Sequence, residues 1–216
     1  MNWLDKLERK LGRFALPGLM RVVVVGMALV FCCELLFPQA MLEYYLYFSP
    51  ALIAQGQVWR IFTFIFLPPQ SSLLFIVFAL YFYYFIGNAL ENEWGSFRFT
   101  LYYLLGVVGT IIAGLLTGGA TNSYLNLSLF FAFAALYPNM QVLLFFFIPI
   151  KIKWLAYLDA ALFAYQFLLG TWQTRAAILA SLLNFLIFFG PSVLRQIRDN
   201  LRYRKQREDW RRQMRR

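Results

Sequence analysis

The sequence predicts an all-α fold, a polytopic membrane protein with six helices that cross a lipid bilayer. Of its 216 residues, 61% are hydrophobic and only 14% are charged, which is too apolar for an ordinary water-soluble domain. Apolar runs near the length of a bilayer span, about 20 residues, recur along the chain. Lysine and arginine are concentrated in alternate connections between these runs, as the positive-inside rule requires. We expect one helical membrane domain and no second domain within this length.

Residues 1–18 are predicted to form an amphipathic helix on the membrane surface. Trp3, Leu7, Leu11 and Phe14 repeat at helical spacing, with lysines and arginines between them. A cleavable signal peptide would instead place charge first, then a continuous apolar core and a site of small residues. We therefore expect an interfacial helix and not a signal.

Six spans are predicted within residues 19–191. They cover about Leu19–Phe37, Ser72–Leu90, Phe99–Thr117, Ser123–Tyr137, Trp154–Leu169 and Ala176–Pro191. The segment Gln141–Lys153, between the fourth and fifth spans, is apolar but contains Pro149 and two lysines. A proline interrupts regular backbone hydrogen bonding, so this segment is interpreted as an interfacial reentry.

The basic residues predict that both termini are cytoplasmic. With that orientation, all of the 20 lysines and arginines except Arg60 and Arg175 lie on the cytoplasmic side. Residues 192–216 form a basic tail, which we expect to be attracted to anionic lipid headgroups. Protein or ribosomal RNA is the alternative partner of the tail, although nucleic acid is not the expected one. This topology suits a bacterial plasma membrane and an endoplasmic-reticulum membrane alike.

The long connection Pro38–Gln70 is predicted to lie partly within the membrane. It is rich in aromatic residues, which favour the headgroup region. Within it stand Trp59 and Arg60, and the guanidinium of an arginine has five donors that suit it to hold loop carbonyls where water is scarce.

The connection between spans two and three carries a second motif, Glu91-Asn92-Glu93-Trp94-Gly95-Ser96-Phe97-Arg98. Gly95 permits a tight turn, and Ser96 is suited to cap the next helix. Glu91 or Glu93 is expected to pair with Arg98 in a shielded site.

These two motifs resemble elements of the rhomboid superfamily, which comprises intramembrane serine proteases and non-proteolytic relatives such as the derlins. The pair Trp59-Arg60 in a long first loop is similar to the corresponding rhomboid and derlin element. The stretch from Glu93 to Arg98 is especially similar to derlins. The resemblance covers about residues 19–191 and implies a six-transmembrane rhomboid-like helical bundle with a membrane-embedded first loop.

The catalytic pattern of that superfamily is missing. The chain contains no histidine, whereas rhomboid proteases have Gly-x-Ser-Gly in span four and, in span six, a histidine that removes the serine proton. The nucleophile position falls at Ser123 or Ser128, without flanking glycines. Ser181 stands at the histidine position, and Leu183 and Asn184 replace two glycines. Serine and asparagine are not useful bases near pH 7, so we expect no protease activity.

The polar residues within the spans are candidates for binding. Groups of this kind usually face a protein interior or a wet cavity. We predict that Asn126, Asp159 and Asn184 line a lateral groove for transmembrane client proteins. A hydrogen-bonded core that fixes helix register is the alternative.

By analogy with derlins, the resemblance implies a catalytically inactive protein that binds, retains or helps to move other membrane proteins in quality control. An active rhomboid-type protease with displaced residues and a small membrane transporter are the alternatives. Membrane lipids and transmembrane clients are the expected partners, with no cofactor and no metal site.

The small-residue ridge from Gly114 to Gly118 is typical of close helix packing, within one chain or, alternatively, in a homo-oligomer.

Overall fold

The chain folds into long helices that pack against one another. A computed structural model describes residues 3–69, 72–144 and 148–188. The elements are α1 (Trp3–Leu11), α2 (Leu19–Leu36), α3 (Leu42–Leu46), α4 (Pro50–Ala54), α5 (Arg60–Thr63), α6 (Leu73–Trp94), α7 (Ser96–Thr117), α8 (Ser123–Leu136), β1 (Gln141–Leu144), β2 (Ile148–Lys151), α9 (Ile152–Leu169) and α10 (Trp172–Phe188).

The all-α membrane fold is confirmed. Within the described ranges, α2, α6, α7 and α9 are long and apolar enough to cross a bilayer. The predicted fourth and sixth spans correspond to α8 and α10, which are apolar but shorter. The predicted end of span six and the basic tail at 192–216 lie outside the described residues.

A β-hairpin stands where the sequence indicated an interfacial reentry. Strands β1 and β2 pair antiparallel, with Gln141 opposite Lys151. The backbone amide of Ile152 then donates to the carbonyl of Met140, at 2.9 Å, so α9 begins where the hairpin closes. β-branched residues such as Val142 favour strand geometry, which explains why an apolar run too short to span the bilayer pairs with itself.

Helix α7 is central in the bundle and α9 is peripheral. Half of the apolar stretch of α7 is buried inside the protein, against 11% for α9. The side chains of Phe99 and Tyr102 on α7 are fully buried, together with Leu90 on α6 and Phe133 on α8. Helix α9 therefore leaves much of its surface to lipid or to other molecules.

The small-residue ridge on α7 faces the interior of the protein at Gly114. A methyl group at Gly114 would lie 2.6 Å from a ring carbon of Phe48 and 2.7 Å from the Cβ of Ala120. Phe48 is completely buried, and its backbone forms a bridge with Ala120. Gly114 thus lets the first loop approach α7 closely, which is a contact within one chain.

Candidate functional site

A groove with several polar residues in its lining, called the polar groove below, opens between α6, α8 and α9. Its volume is about 220 Å³, and its lining is drawn from all three helices. The lining residues are Phe82, Tyr83, Ser123, Asn126, Leu127, Phe130, Leu155 and Asp159. The structure therefore brings together Asn126 and Asp159, two of the three residues that the sequence placed in a client groove.

Helical spacing explains how the polar residues converge. Ser123 and Asn126 are three residues apart on α8, and Leu155 and Asp159 are four apart on α9, so each pair shares one face of its helix. Helix α8 contributes the buried side of the groove and α9 the more open side. Tyr83 on α6 completes the lining.

Asn126 has an unused acceptor in this groove. Its side chain is only 3% exposed, and its Oδ1 atom accepts no hydrogen bond from any described residue. A buried polar atom without a partner costs about 1–3 kcal/mol, and most buried polar atoms in proteins are paired. Asn126 lines the groove, so an unpaired acceptor lies just beneath the groove surface.

Asp159 supplies the carboxylate of the groove. It lies in the middle of α9 and is partly buried. Among the lining residues, all of which are described, it is the one acidic group, and no lysine or arginine accompanies it. A carboxyl group at this depth is costly unless it faces a protein interior or a wet cavity, which agrees with its position in the groove.

Asn184 lies away from this groove, so the structure does not place all three predicted residues together. It is 4% exposed, and its Nδ2 atom donates to the backbone carbonyl of Tyr102 at 3.2 Å. A methyl group at Gly106 would lie 2.9 Å from that nitrogen. Because Gly106 has no side chain, α10 can approach α7 closely at this point. Asn184 bonds to Tyr102 of α7 there and so does not face α9.

The two candidate nucleophiles have different surroundings. Ser123 is exposed at the first turn of α8 and lines the groove. Ser128 is 1% exposed, and its hydroxyl is in hydrogen-bond contact with the hydroxyl of Tyr102, which also donates to the carbonyl of Ser128 at 3.0 Å. Ser128 is thus part of the packed core between α7 and α8.

Ser181 lies beside the start of α8, close to the position of Ser123. Its hydroxyl donates to the backbone carbonyl of Tyr124 at 2.9 Å. The structure thus places the residue at the histidine position next to the residue that follows Ser123. The hydroxyl acts there as a donor to a carbonyl, which is the opposite of what a general base must do.

Arg60 anchors the first loop. The side chain is 1% exposed, its Nη1 atom donates to the carbonyls of Tyr44 and Tyr47 at 2.6 and 2.9 Å, and its Nε atom donates to Gln57 at 2.7 Å. Its neighbour Trp59 is half exposed and donates to a loop carbonyl at 3.3 Å. One buried guanidinium therefore bonds to carbonyls that lie 13 and 16 positions before Arg60 in the chain.

Asn122 is a positioning residue that the sequence analysis missed. Its Nδ2 atom donates to the backbone carbonyls of Ile65 and Leu67, at 3.0 and 2.7 Å. These contacts fix the end of the first loop against the start of α8, next to Ser123. An asparagine directly before a helix is a usual N-terminal residue, but its partners are more than 50 positions away and no local pattern indicates them.

The expected pairing of Glu91 or Glu93 with Arg98 is wrong. Glu91 accepts hydrogen bonds from the backbone amide of Gly18, at 2.9 and 3.1 Å, and from the hydroxyl of Ser96, at 2.7 Å. Arg98 forms a salt bridge with Glu8 of α1 at 2.9 Å. The turn at Gly95, which has a φ of 80°, reverses the chain between α6 and α7, so Glu91 meets the start of α2 and Arg98 meets α1.

Glu93 has a separate partner at the same end of the bundle. Its carboxylate accepts a hydrogen bond from the hydroxyl of Tyr137 at 3.0 Å. This bond raises the pKa of the tyrosine, because it favours the protonated phenol beside the negative charge. It joins the α6–α7 turn to the segment that follows α8.

The chain matches a protein-family model described as eukaryotic integral membrane protein (DUF1751) over residues 18–190. The chain belongs to this family. The match begins one residue before α2 and includes the first loop, the α6–α7 turn and the polar groove. A comparison with curated proteins finds no match.

Proposed function

We propose that this family member is a catalytically inactive, rhomboid-like protein of the derlin type that binds transmembrane client proteins through the groove between α6, α8 and α9. The unpaired Oδ1 of Asn126 carries this proposal. A hydrogen-bond donor on a client helix satisfies that atom, whereas a lipid acyl chain has no donor to offer.

The chemistry of the groove selects clients that expose polar residues within the bilayer. Hydrogen bonds between helices in membranes contribute about 0.6 to 2 kcal/mol each, so one bond to Asn126 gives a modest and reversible preference. The carboxyl group of Asp159 accepts a second donor from the same helix. Membrane proteins that have not met their partners expose such residues, and their retention is a quality-control task.

The absence of proteolysis is part of the proposal. Its support is that Ser181 donates to a carbonyl and that Ser128 is packed against Tyr102. Ser123 remains accessible and shares its groove with Asp159, but a carboxylate is a weak base toward a serine hydroxyl near pH 7. The groove therefore binds a helix and does not cleave it.

We place the protein with both termini in the cytoplasm, in the endoplasmic-reticulum membrane. The description of the family as eukaryotic favours that membrane over a bacterial one. The contacts of Arg98 with Glu8 and of Glu93 with Tyr137 support a shared side for α1, the α6–α7 turn and the region before α9. These segments carry basic residues, as cytoplasmic segments do.

Site-specific photocrosslinking tests the groove. A photoreactive amino acid replaces Leu127 or Leu155, which line the groove, and in matched controls it replaces Leu158 or Leu162, which are exposed on α9 outside it. We expect adducts with membrane proteins at the two groove positions, several-fold above those at the two control positions. Equal protein labelling at all four positions, or labelling of lipid alone at the groove positions, contradicts the proposal.

A fluorophosphonate labelling assay, run beside cleavage of a transmembrane substrate, tests the inactive state. We expect neither labelling nor cleavage. Labelling at Ser123 together with cleavage would establish an active protease and overturn this part of the proposal.

A further inference from the structure

A second groove lies on a different face of α9, between α8, α9 and α10. Its volume is about 610 Å³ and it is almost entirely apolar. Aromatic and aliphatic side chains such as Phe131, Phe163, Leu182 and Phe185 line it, together with alanines of α8 and α9. It shares no lining residue with the polar groove.

Alanines on α9 create this space. Ala156, Ala160 and Ala164 recur every four residues, so they form one stripe along the helix. Their side chains are too small to fill the gap to α10, while Phe163 and Phe167 form its walls. The space beside this stripe, between Lys153 and Phe167 of α9, is called the channel below.

One charged residue lies at the end of the channel. Lys153 is the single charged side chain in the lining, whose residues are all described. Its backbone amide donates to the carbonyl of Pro138 at 3.1 Å, which fixes it at the junction of the hairpin and α9. The ammonium group lies over the ring of Trp154, 5.9 Å from its centre. A lysine beside a tryptophan is typical of the membrane interface, so the charge stands where headgroups lie.

The dimensions of the channel fit a lipid chain. From Lys153 to Phe167, α9 rises about 21 Å at 1.5 Å per residue, and half of a bilayer core is about 15 Å. An apolar groove with one basic end matches an acyl chain joined to an acidic headgroup.

We propose that this groove binds one phospholipid with an acidic headgroup, its acyl chain lying along the alanine stripe of α9 and its phosphate at Lys153. The groove thereby has an occupant different from that of the polar groove. The lipid fills the space between α9 and α10, and it belongs to the leaflet on the Lys153 side.

Native mass spectrometry of the purified full-length protein tests the proposal. The delipidated protein is mixed with phosphatidylserine or with phosphatidylcholine of identical acyl chains. We expect one tightly held phospholipid, with phosphatidylserine preferred about fivefold, since a basic residue near the membrane surface contributes about 1 kcal/mol. In Lys153→Gln the preference should vanish, and in Ala160→Phe the binding of both lipids should fall at least fivefold.

Two control variants keep the test specific. Lys151→Gln removes a neighbouring charge, and Ala161→Phe adds a ring on an exposed neighbouring position, and neither residue lines the groove. We expect both to bind lipid as the unchanged protein does. Thermal unfolding of all four variants identifies any that fail to fold, and crosslinking at Leu127 reports the client groove separately.

Three results would overturn the proposal. The first is equal binding of the two lipids by the unchanged protein. The second is a preference that survives Lys153→Gln or is lost equally in Lys151→Gln. The third is lipid binding in Ala160→Phe equal to that in Ala161→Phe.

Discussion

The hydroxyl of Ser181 on α10 donates a hydrogen bond to the backbone carbonyl of Tyr124 on α8, at 2.9 Å. In a rhomboid protease, the corresponding helices bring a histidine to a serine. Under the proposed function, the contact of α8 and α10 stands at that place and joins a hydroxyl to a carbonyl instead. The contact fixes α10 against the start of α8, next to Ser123, which lines the groove at Asn126.

Replacing Ser181 with histidine should not create a protease. The new imidazole would lie near the start of α8, but Ser123 lacks the flanking glycines of the rhomboid motif, and Leu183 and Asn184 replace two further glycines. We expect Ser181→His to give no fluorophosphonate labelling and no substrate cleavage. Restored cleavage would show that histidine alone is missing.

Arg60→Lys should destabilise the first loop. Lysine keeps the charge but loses the planar fork that reaches Gln57, Tyr44 and Tyr47 together. We expect the free energy of unfolding in detergent to fall by about 2–4 kcal/mol, since bonds to charged groups contribute about 1.5–3 kcal/mol each and do not add fully.

The matched control for Arg60 is the exposed Arg21. Arg21→Lys should change the free energy of unfolding by less than about 0.5 kcal/mol, as is usual for surface positions. Equal effects of the two substitutions would mean that Arg60 does not hold the loop.

The two glutamates of the α6–α7 connection should differ in importance. Glu91→Ala leaves the amide of Gly18 and the hydroxyl of Ser96 without their acceptor, and we expect a loss of about 1–3 kcal/mol. Glu93→Ala removes one exposed bond, to Tyr137, and should cost less than about 0.5 kcal/mol. Chemical unfolding of both variants measures the difference, and a larger effect at Glu93 contradicts this account of the turn.

Two glycines of α7 provide a matched pair for packing. In Gly114→Ala the new methyl group would lie 2.6 Å from the ring of Phe48, and such overpacking costs about 1–3 kcal/mol. In Gly109→Ala the nearest atom to the new methyl group, the Cβ of Ala180, is 3.7 Å away. Because alanine loses less backbone entropy than glycine when the chain folds, this substitution should stabilise the helix by up to about 1 kcal/mol. Thermal unfolding gives the sign for each variant, and destabilisation by both would contradict the assigned packing.

Much of the fold follows from local properties of the sequence. Hydrophobicity and length locate the spans, because a bilayer imposes the same requirement on every crossing helix. The sequence also indicated the role of Arg60 in the loop, since a buried guanidinium needs carbonyl partners. The β-hairpin was missed because an apolar run of that length fits a strand or a reentrant segment equally well.

The site was only partly predictable, because its geometry depends on how the helices rotate against one another. Asn126 and Asp159 meet in one groove, but Asn184 faces α7 because Gly106 lets α10 approach there. The partners of Asn122 and Arg98 lie far away in sequence, so no spacing rule identifies them. The apolar groove was not predicted, because the alanines of α9 that create it are also typical of ordinary helix packing.

The central claim is that the groove at Asn126 recognises polar residues of a client helix. The direct measurement is the affinity of the protein, in liposomes, for a polyleucine transmembrane peptide with one central asparagine, compared with the all-leucine peptide. We predict a preference for the asparagine peptide of about 3- to 30-fold, and its loss in Asn126→Leu but not in the exposed control Leu158→Ala. Equal affinity for the two peptides, or a preference that persists in Asn126→Leu, would contradict the claim.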